Sequence, residues 1–342
     1  LKYHGCQSSV SFREGDSRKQ VLRVYNARYL LMVVLLLVSG GCSRSLDEPL
    51  RVGSNIWPGY ESLYLARSLG LYPKQSIHLV ELPSATTVIQ AITTGALDAA
   101  CLTLDEVLAA RARGVDLQVL LVMDVSAGGD VLLARPPIQS LDQLRGKTIA
   151  VENTAVGAIL LDGALQTAGL QPEDVILKFA GVDEHESVYL SGTVDAVVTL
   201  EPVRSHLLAQ GAIQLFDSRQ IPDRIVDVLV ARHEVTTGYG PRLRELVRAH
   251  FAALAYRHGH PEDANQRTAP IYGVRPEQMK NLFEGLEIPD LAENRWLLNG
   301  DPPPLEETAR ELIVVMHRAG LLRDGVKISG MIEPDFLPAE SL

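Results

Sequence analysis

A chain of 342 residues is long enough for two domains of ordinary size, each with its own core. Its 46% hydrophobic and 22% charged residues are the proportions of a globular protein and exclude an intrinsically disordered one. The net charge is −10, and the basic residues are concentrated early: from residue 42 onward, 26 basic residues face 40 acidic ones. A surface that acidic argues against nucleic acid or anionic membrane as a partner of the folded part.

The first element is a leader. Scattered basic residues precede "ARYLLMVVLLLVSGGCS" (27–43), whose uncharged stretch falls short of the roughly 20 apolar residues that span a bilayer. A basic segment, a short apolar core and small residues form the plan of a secretory signal. Ser39-Gly40-Gly41 running into Cys42 resembles a bacterial lipoprotein cleavage box, with Ser39 where that box usually has Leu. The resemblance implies lipidation of Cys42 and a lipid-anchored protein in the periplasm or at the cell surface. Cys6 and Cys101 are the other cysteines, so the mature chain has no intrachain disulfide, CxxC or zinc spacing. Cys101, inside an apolar run, reads as a buried thiol.

Strands alternate with helices after the leader. A strand at 50–53 meets the turn Trp57-Pro58-Gly59, and a helix follows to Gly70. A strand at 77–82, Pro83-Ser84, a helix carrying Val88, Ile89 and Ile92, and a strand ending at Leu104 repeat the plan. A second set begins with a strand at 148–151, the polar turn Glu152-Asn153-Thr154 and a helix to Gly169. Strands at 174–180 and 194–200 complete it, with a helix through Tyr189 between them. Such alternation predicts parallel βαβ units. "TGALDAACLTLDEV" (94–107) is echoed by "SGTVDAVVTLEPV" (191–203), which marks two similar α/β lobes. Strands at 130–134 and 225–231 on the connecting segments predict that lobe two is inserted into lobe one. The expected boundaries are a leader over 1–42, lobe one over 50–127, lobe two over 128–217, and a return to lobe one over 218–342. The return is helical from Pro241, and its helices are expected to pack on lobe one.

Ligands of open parallel sheets bind beyond the carboxyl ends of strands, where helices begin and N–H groups are unpaired. The candidates in lobe one are Asn55, Trp57, Tyr60, Glu61, Ser84, Thr86, Thr87, Thr103 and Asp105. Lobe two offers Asn153, Thr154, Thr199 and Glu201, and the crossings offer Asp124, Asp130 and Ser218. The hydroxyl residues among them also suit helix caps. Asp98 and Asp195 precede strands at matched positions and read as turn residues. His258 and His260 in "RHGHPED" read as a solvated helix end, and no metal or cofactor site is expected.

"RVGSNIWPGYESLYLARSLGLY", "ITTGALDAACLT", "LDQLRGKTIAV", "LQPEDVIL" and "SGTVDAVVTLEPV" together resemble the periplasmic substrate-binding proteins of ABC importers. The branch is the one associated with nitrate, sulfonate, taurine and thiamine-precursor uptake. The resemblance implies a type II-like two-lobed α/β fold that closes about a hinge on a small molecule, delivered to an ABC permease and its ATPase. A monomer is the simplest assembly for such a hinge.

The cleft candidates include Glu61, Asp105, Asp124, Asp130 and Glu201, with Arg219 as their one basic neighbour. Oxyanion binders need cations or dense N–H donors, whereas a buried carboxylate needs a positive partner. A nitrogenous or cationic solute, stacked on Trp57 and Tyr60, is therefore expected over an oxyanion. The rival readings are an oxyanion binder, a subunit presenting a solute to a membrane receptor, and an enzyme of the thiamine-pyrimidine synthesis type. Against an enzyme stands the lack of a nucleophile–base pair, HExxH motif or phosphate loop in the sequence.

Overall fold

The computed structural model describes residues 48–323 and 325–339, so the leader and Cys42 lie outside the described residues. In chain order the strands are β1 (Leu50–Ser54), β2 (Ile77–Glu81), β3 (Ala99–Thr103), β4 (Leu117–Ser126), β5 (Val131–Ala134), β6 (Thr148–Val151), β7 (Ile176–Phe179), β8 (Ala196–Thr199), β9 (Ile213–Asp217), β10 (Val226–Arg232) and β11 (Leu286–Glu287). The helices are α1 (Glu61–Leu69), α2 (Ala85–Thr93), α3 (Leu104–Ala112), α4 (Ala155–Thr167), α5 (Val182–Leu190), α6 (Val203–Ala209), α7 (His233–Gly238), α8 (Gly240–Gly259), α9 (Pro261–Thr268), α10 (Met279–Phe283), α11 (Leu291–Leu298) and α12 (Pro304–Arg318).

The strands form two sheets, ordered β11-β4-β10-β3-β1-β2 and β7-β6-β8-β5-β9. Each is built on the same plan. Three parallel strands carry the βαβ units, and an antiparallel strand (β10 or β5) joins them to the strand that leaves the lobe. The sequence echo has its physical cause here. Asp98 accepts the N–H of Arg51 at 2.8 Å, and Asp195 accepts the N–H of Thr148 at 2.9 Å. Each aspartate thus registers the third strand of its lobe against the first, which makes it a structural residue.

The strands that the alternation did not predict are β4, β9 and the two-residue β11. All ten residues of "LQVLLVMDVS" are buried or half-buried, so β4 shows none of the alternation that identifies a half-buried strand. Its open edge is closed by parts distant in sequence. The side chain of Asn294 on α11 bonds both the N–H and the C=O of Val122, at 2.7 and 3.1 Å. Val119 pairs with Met331 and Glu333 of the C-terminal segment, and β11 covers the far end. Such cover satisfies backbone groups that would otherwise template aggregation. The single helix predicted from "RPEQMKNLFEGL" is instead a 3-10 turn followed by the short α10, and α7, α9 and α11 were not predicted.

The C-terminal helices differ in what they touch. Helix α8 packs on α1 of lobe one, whereas α12 packs on α3 and also reaches α4 of lobe two. Leu104, Leu108, Leu160, Leu312 and Met316 accordingly share one apolar cluster that runs between the lobes. At the crossings the Ser126 and Ser218 hydroxyls lie 2.9 Å apart. Ser218 also accepts the Gly128 N–H at 2.6 Å, and Ser126 accepts that of Asp130 at 3.2 Å. These two serines knot the two interlobe passages together. Among the described residues no helix is long and apolar enough to cross a membrane.

Candidate functional site

The carboxyl ends of β1, β3 and β4 and the start of β10 converge on the interlobe cleft. Trp57, in the turn after β1, donates its indole N–H to Asp124 near the end of β4, at 3.1 Å from one carboxylate oxygen. The Tyr60 hydroxyl donates to Asp227, the second residue of β10. Asp227 stands opposite Thr103 in β3 and Asp124 in β4, so three polar residues form one row across the antiparallel ladder. Asp105, in the first turn of α3, and Asp130, on the outgoing crossing, complete the group. All four aspartates are buried, and no ion pair among the described residues reaches any of them.

Their partners divide them into two kinds. Asp124 and Asp227 hold the two aromatic side chains in place. Among the described residues Asp105 has no partner at full hydrogen-bond distance for either carboxylate oxygen, the Thr103 hydroxyl and its own N–H lying close enough only to offset its burial in part, and Asp130 has one unpartnered oxygen. Burial of this kind is costly for a charged group. It pushes the Asp105 carboxyl up to about 7, with the neighbouring Asp130 adding to the rise, and pushes Asp130 up to about 6. Asp124 is raised by burial and by Asp130, and Asp227 by burial and by Asp124. Glu106 is raised by burial and by Asp105, although its Oε2 accepts the Thr103 N–H at 3.0 Å.

The lobes meet across this cleft. The N–H and hydroxyl of Thr86, at the start of α2, both donate to one oxygen of Glu152 at the end of β6, at 2.9 and 2.6 Å. Beside this clasp lies a cavity of about 480 Å³ between α2, α3 and the start of α4, lined in part by Thr86, Glu106, Asn153 and Thr154.

The remaining candidates have other tasks in the structure. Ser84 and Thr87 bond each other in a capping box on α2, and Thr154 caps α4 through the Gly157 N–H. Asn55 is buried beside β1, and its main-chain carbonyl accepts a long 3.4 Å bond from the Tyr64 hydroxyl. His185 donates to the Ala180 carbonyl, so its other ring nitrogen accepts from Thr199 at 3.1 Å, and burial keeps the ring below the usual histidine range. Glu61 is paired with Arg257 at 2.6 and 2.9 Å, away from the aspartates. Glu201, the twin of Asp105 in the repeat, accepts from Arg204 at 2.7 Å and from the Ser205 N–H and hydroxyl. Ser218 serves the crossing. The structure thus brings Trp57, Tyr60, Thr103, Asp105, Asp124 and Asp130 together. It adds Asp227, Glu106 and Glu152, which sequence reasoning missed because their role depends on strand pairing and lobe contact.

Gly59 explains why the turn after β1 is built as Trp57-Pro58-Gly59. A Cβ there would lie 1.7 Å from an Asp124 oxygen and 2.7 Å from the Trp57 indole nitrogen. Gly59→Ala should therefore push Asp124 and Trp57 apart and destabilise the protein by about 1–3 kcal/mol, the usual cost of overpacking. A thermal melt reads this directly, and an unchanged melting temperature would mean that the carboxylate shifts freely.

A two-lobed α/β fold with a polar cleft between parallel-stranded lobes is the periplasmic-binding-protein fold. Residues 57–264 match the NMT1/THI5-like family, and the chain belongs to that family. It is 27% identical over 179 residues to an Escherichia coli (strain K12) protein assigned by name to aliphatic sulfonate binding. That match covers 51% of this chain and 56% of its relative, so it spans little more than half of the latter. Among solved structures, the alkanesulfonate-binding protein SsuA of Xanthomonas axonopodis pv. citri, bound to MOPS, is similar with a TM-score of 0.72 at 18% identity. The similarity covers 85% of this chain and 100% of that one. The periplasmic nitrate-binding protein NrtA of Synechocystis PCC 6803 is similar with a TM-score of 0.67 at 13% identity, over 84% and 86% of the two chains. At these identities the solved structures establish the fold.

Proposed function

We propose that the protein is the solute-binding component of an ABC importer, working outside the cytoplasm, and that it encloses a small nitrogenous, cationic solute between its lobes. Family membership and fold support the binding role. The observation that carries the choice of solute is the pair Asp105 and Asp130, which among the described residues are buried with three unpartnered carboxylate oxygens and no basic side chain bonded to either. An ammonium, amidinium or protonated ring nitrogen supplies both the charge and the donors that these oxygens lack. Trp57 and Tyr60, anchored by Asp124 and Asp227, are aromatic groups suited to stacking on such a head. The leader reading adds a lipid anchor at Cys42.

The names of the relatives favour an oxyanion. The charge pattern here opposes it, because Arg204, Arg219 and Arg257 are each held by a carboxylate of the protein itself. Melting shifts against two panels test the choice, one of sulfonates and inorganic oxyanions, the other of amines, guanidines and pyrimidines. A solute at 100 times its dissociation constant stabilises by about 2.7 kcal/mol, a shift of several degrees. A hit confined to the nitrogenous panel is the expected result. A hit confined to the anions would retain the binding role and overturn the choice of solute.

A further inference from the structure

We propose that closure of the lobes is driven by positive charge delivered to the aspartate cluster, by a solute when one is bound and by protons otherwise, so that the solute-free protein opens as the pH rises. The inference rests on the cleft being the solute site and concerns how that site is regulated.

The geometry carries it. The conformation described is a closed one: Thr86 and Glu152 bond across the lobes, and a Cβ on Gly181 of lobe two would lie 3.6 Å from the Ser84 Cβ of lobe one. In this arrangement Asp105 and Asp130 are buried together with unpartnered oxygens. The groups facing them share their sign. They are Glu106 beside Asp105, and Asp124 on β4 and Asp227 on β10 beside Asp130; one step further out, Glu152 of lobe two acts on Glu106, and Tyr60 and Cys101 adjoin Asp124 and Asp227. The nearest guanidinium on the crossings, Arg219 beside Gly128, is held by Asp217 through bonds of 3.1 and 2.6 Å. The described residues thus supply no countercharge, and carboxylates of one sign cannot remain ionised together out of water.

On this proposal, opening the cleft is the step that returns these carboxyls to water and to their ordinary acidity, so that closure takes up protons. The sign follows from linkage. A carboxyl whose affinity for protons is raised in the closed form favours closure fully below its open-state value near 4, and that contribution is lost as the pH rises to its closed-state value. For Asp105 that window runs from about 4 to about 7. Across it, the closed-to-open ratio should fall by about a hundredfold or more. A cationic solute replaces the protons and restores closure at neutral pH.

Small-angle scattering on the solute-stripped protein between pH 4.5 and 8 tests this, with circular dichroism at each pH to exclude unfolding. The expected result is a smaller radius of gyration at pH 4.5 than at pH 8. The double substitution Asp105→Asn with Asp130→Asn should keep the compact radius at both, because the neutral amides close without protons. Asp263→Asn, which removes a carboxylate from an exposed ion pair with Arg267, should respond as the parent does. A radius independent of pH in the parent overturns the inference, and so does a double variant that opens over the parent's pH range. No solute enters the experiment, so its outcome stands apart from the panel test. A pH-dependent radius with a hit confined to the anion panel would end the solute assignment and leave the proton-driven closure standing.

Discussion

Arg257→Ala lowers the melting temperature by roughly 6–15 °C, the consequence of about 3–5 kcal/mol lost when a buried ion pair keeps one partner. Glu61 and Arg257 are 2% and 17% exposed and meet in a two-pronged contact, so removal of the guanidinium strands a carboxylate under α8. Arg257 does more than neutralise Glu61. It donates to Asn265 at 2.9 Å and lies 4.6 Å over the Phe283 ring, tying α1, α8, α9 and α10 together. The double change Glu61→Leu with Arg257→Met should recover most of the loss, because a packed apolar pair carries no desolvation penalty. A single-variant loss below about 1 kcal/mol would place the pair in the class of surface bridges and remove it from the account of the C-terminal helices.

Asp105→Asn is expected to weaken the solute that stabilises the parent by about 30- to 1,000-fold at pH 8, as is usual when one member of a desolvated charge pair is neutralised. Its melting temperature without solute should not fall, since the substitution removes a buried charge that has no partner. The two readouts therefore separate a binding residue from a structural one. The parent's affinity for a cation should also fall as the pH is lowered from 7 toward 4, because Asp105, raised to about 7, must lose its proton to pair with the solute. The variant should be nearly flat over that range. Calorimetric titration at several pH values checks both points. Equal affinity in parent and variant would remove Asp105 from the site, whereas Glu201→Gln should change affinity little, since Glu201 is already satisfied by Arg204 and Ser205.

The twin carboxylates of the repeat show where a sequence stops being informative. Asp105 and Glu201 follow the same pattern of Thr, Leu and acid in the two lobes, and the pattern itself does not distinguish them. The folded chain separates them: Arg204, three residues on from Glu201, turns back on it, while among the described residues no basic side chain bonds Asp105. Thr86 reads equally well as a cap or a ligand residue, and its donation to Glu152 across the lobes appears only once both are folded.

The sequence by itself determined the class of the protein. Strand–helix alternation, the turn at Trp57-Pro58-Gly59 and the doubled Gly–x–x–Asp-Ala segment are each written in neighbouring residues, and together they point to two α/β lobes. The helix starts that border the cleft were legible for the same reason, because a strand end and a cap are written in adjacent residues. Only the tertiary structure decided what lies between those starts. Asp227 joins the site because β10 runs antiparallel beside β3 and β4, more than a hundred residues away in the chain. The buried β4 has no alternation to betray it, and Arg257 reaches Glu61 from 196 residues away. Charge balance in a cleft is a sum over such distant contacts, and the order of residues along the chain does not contain that sum.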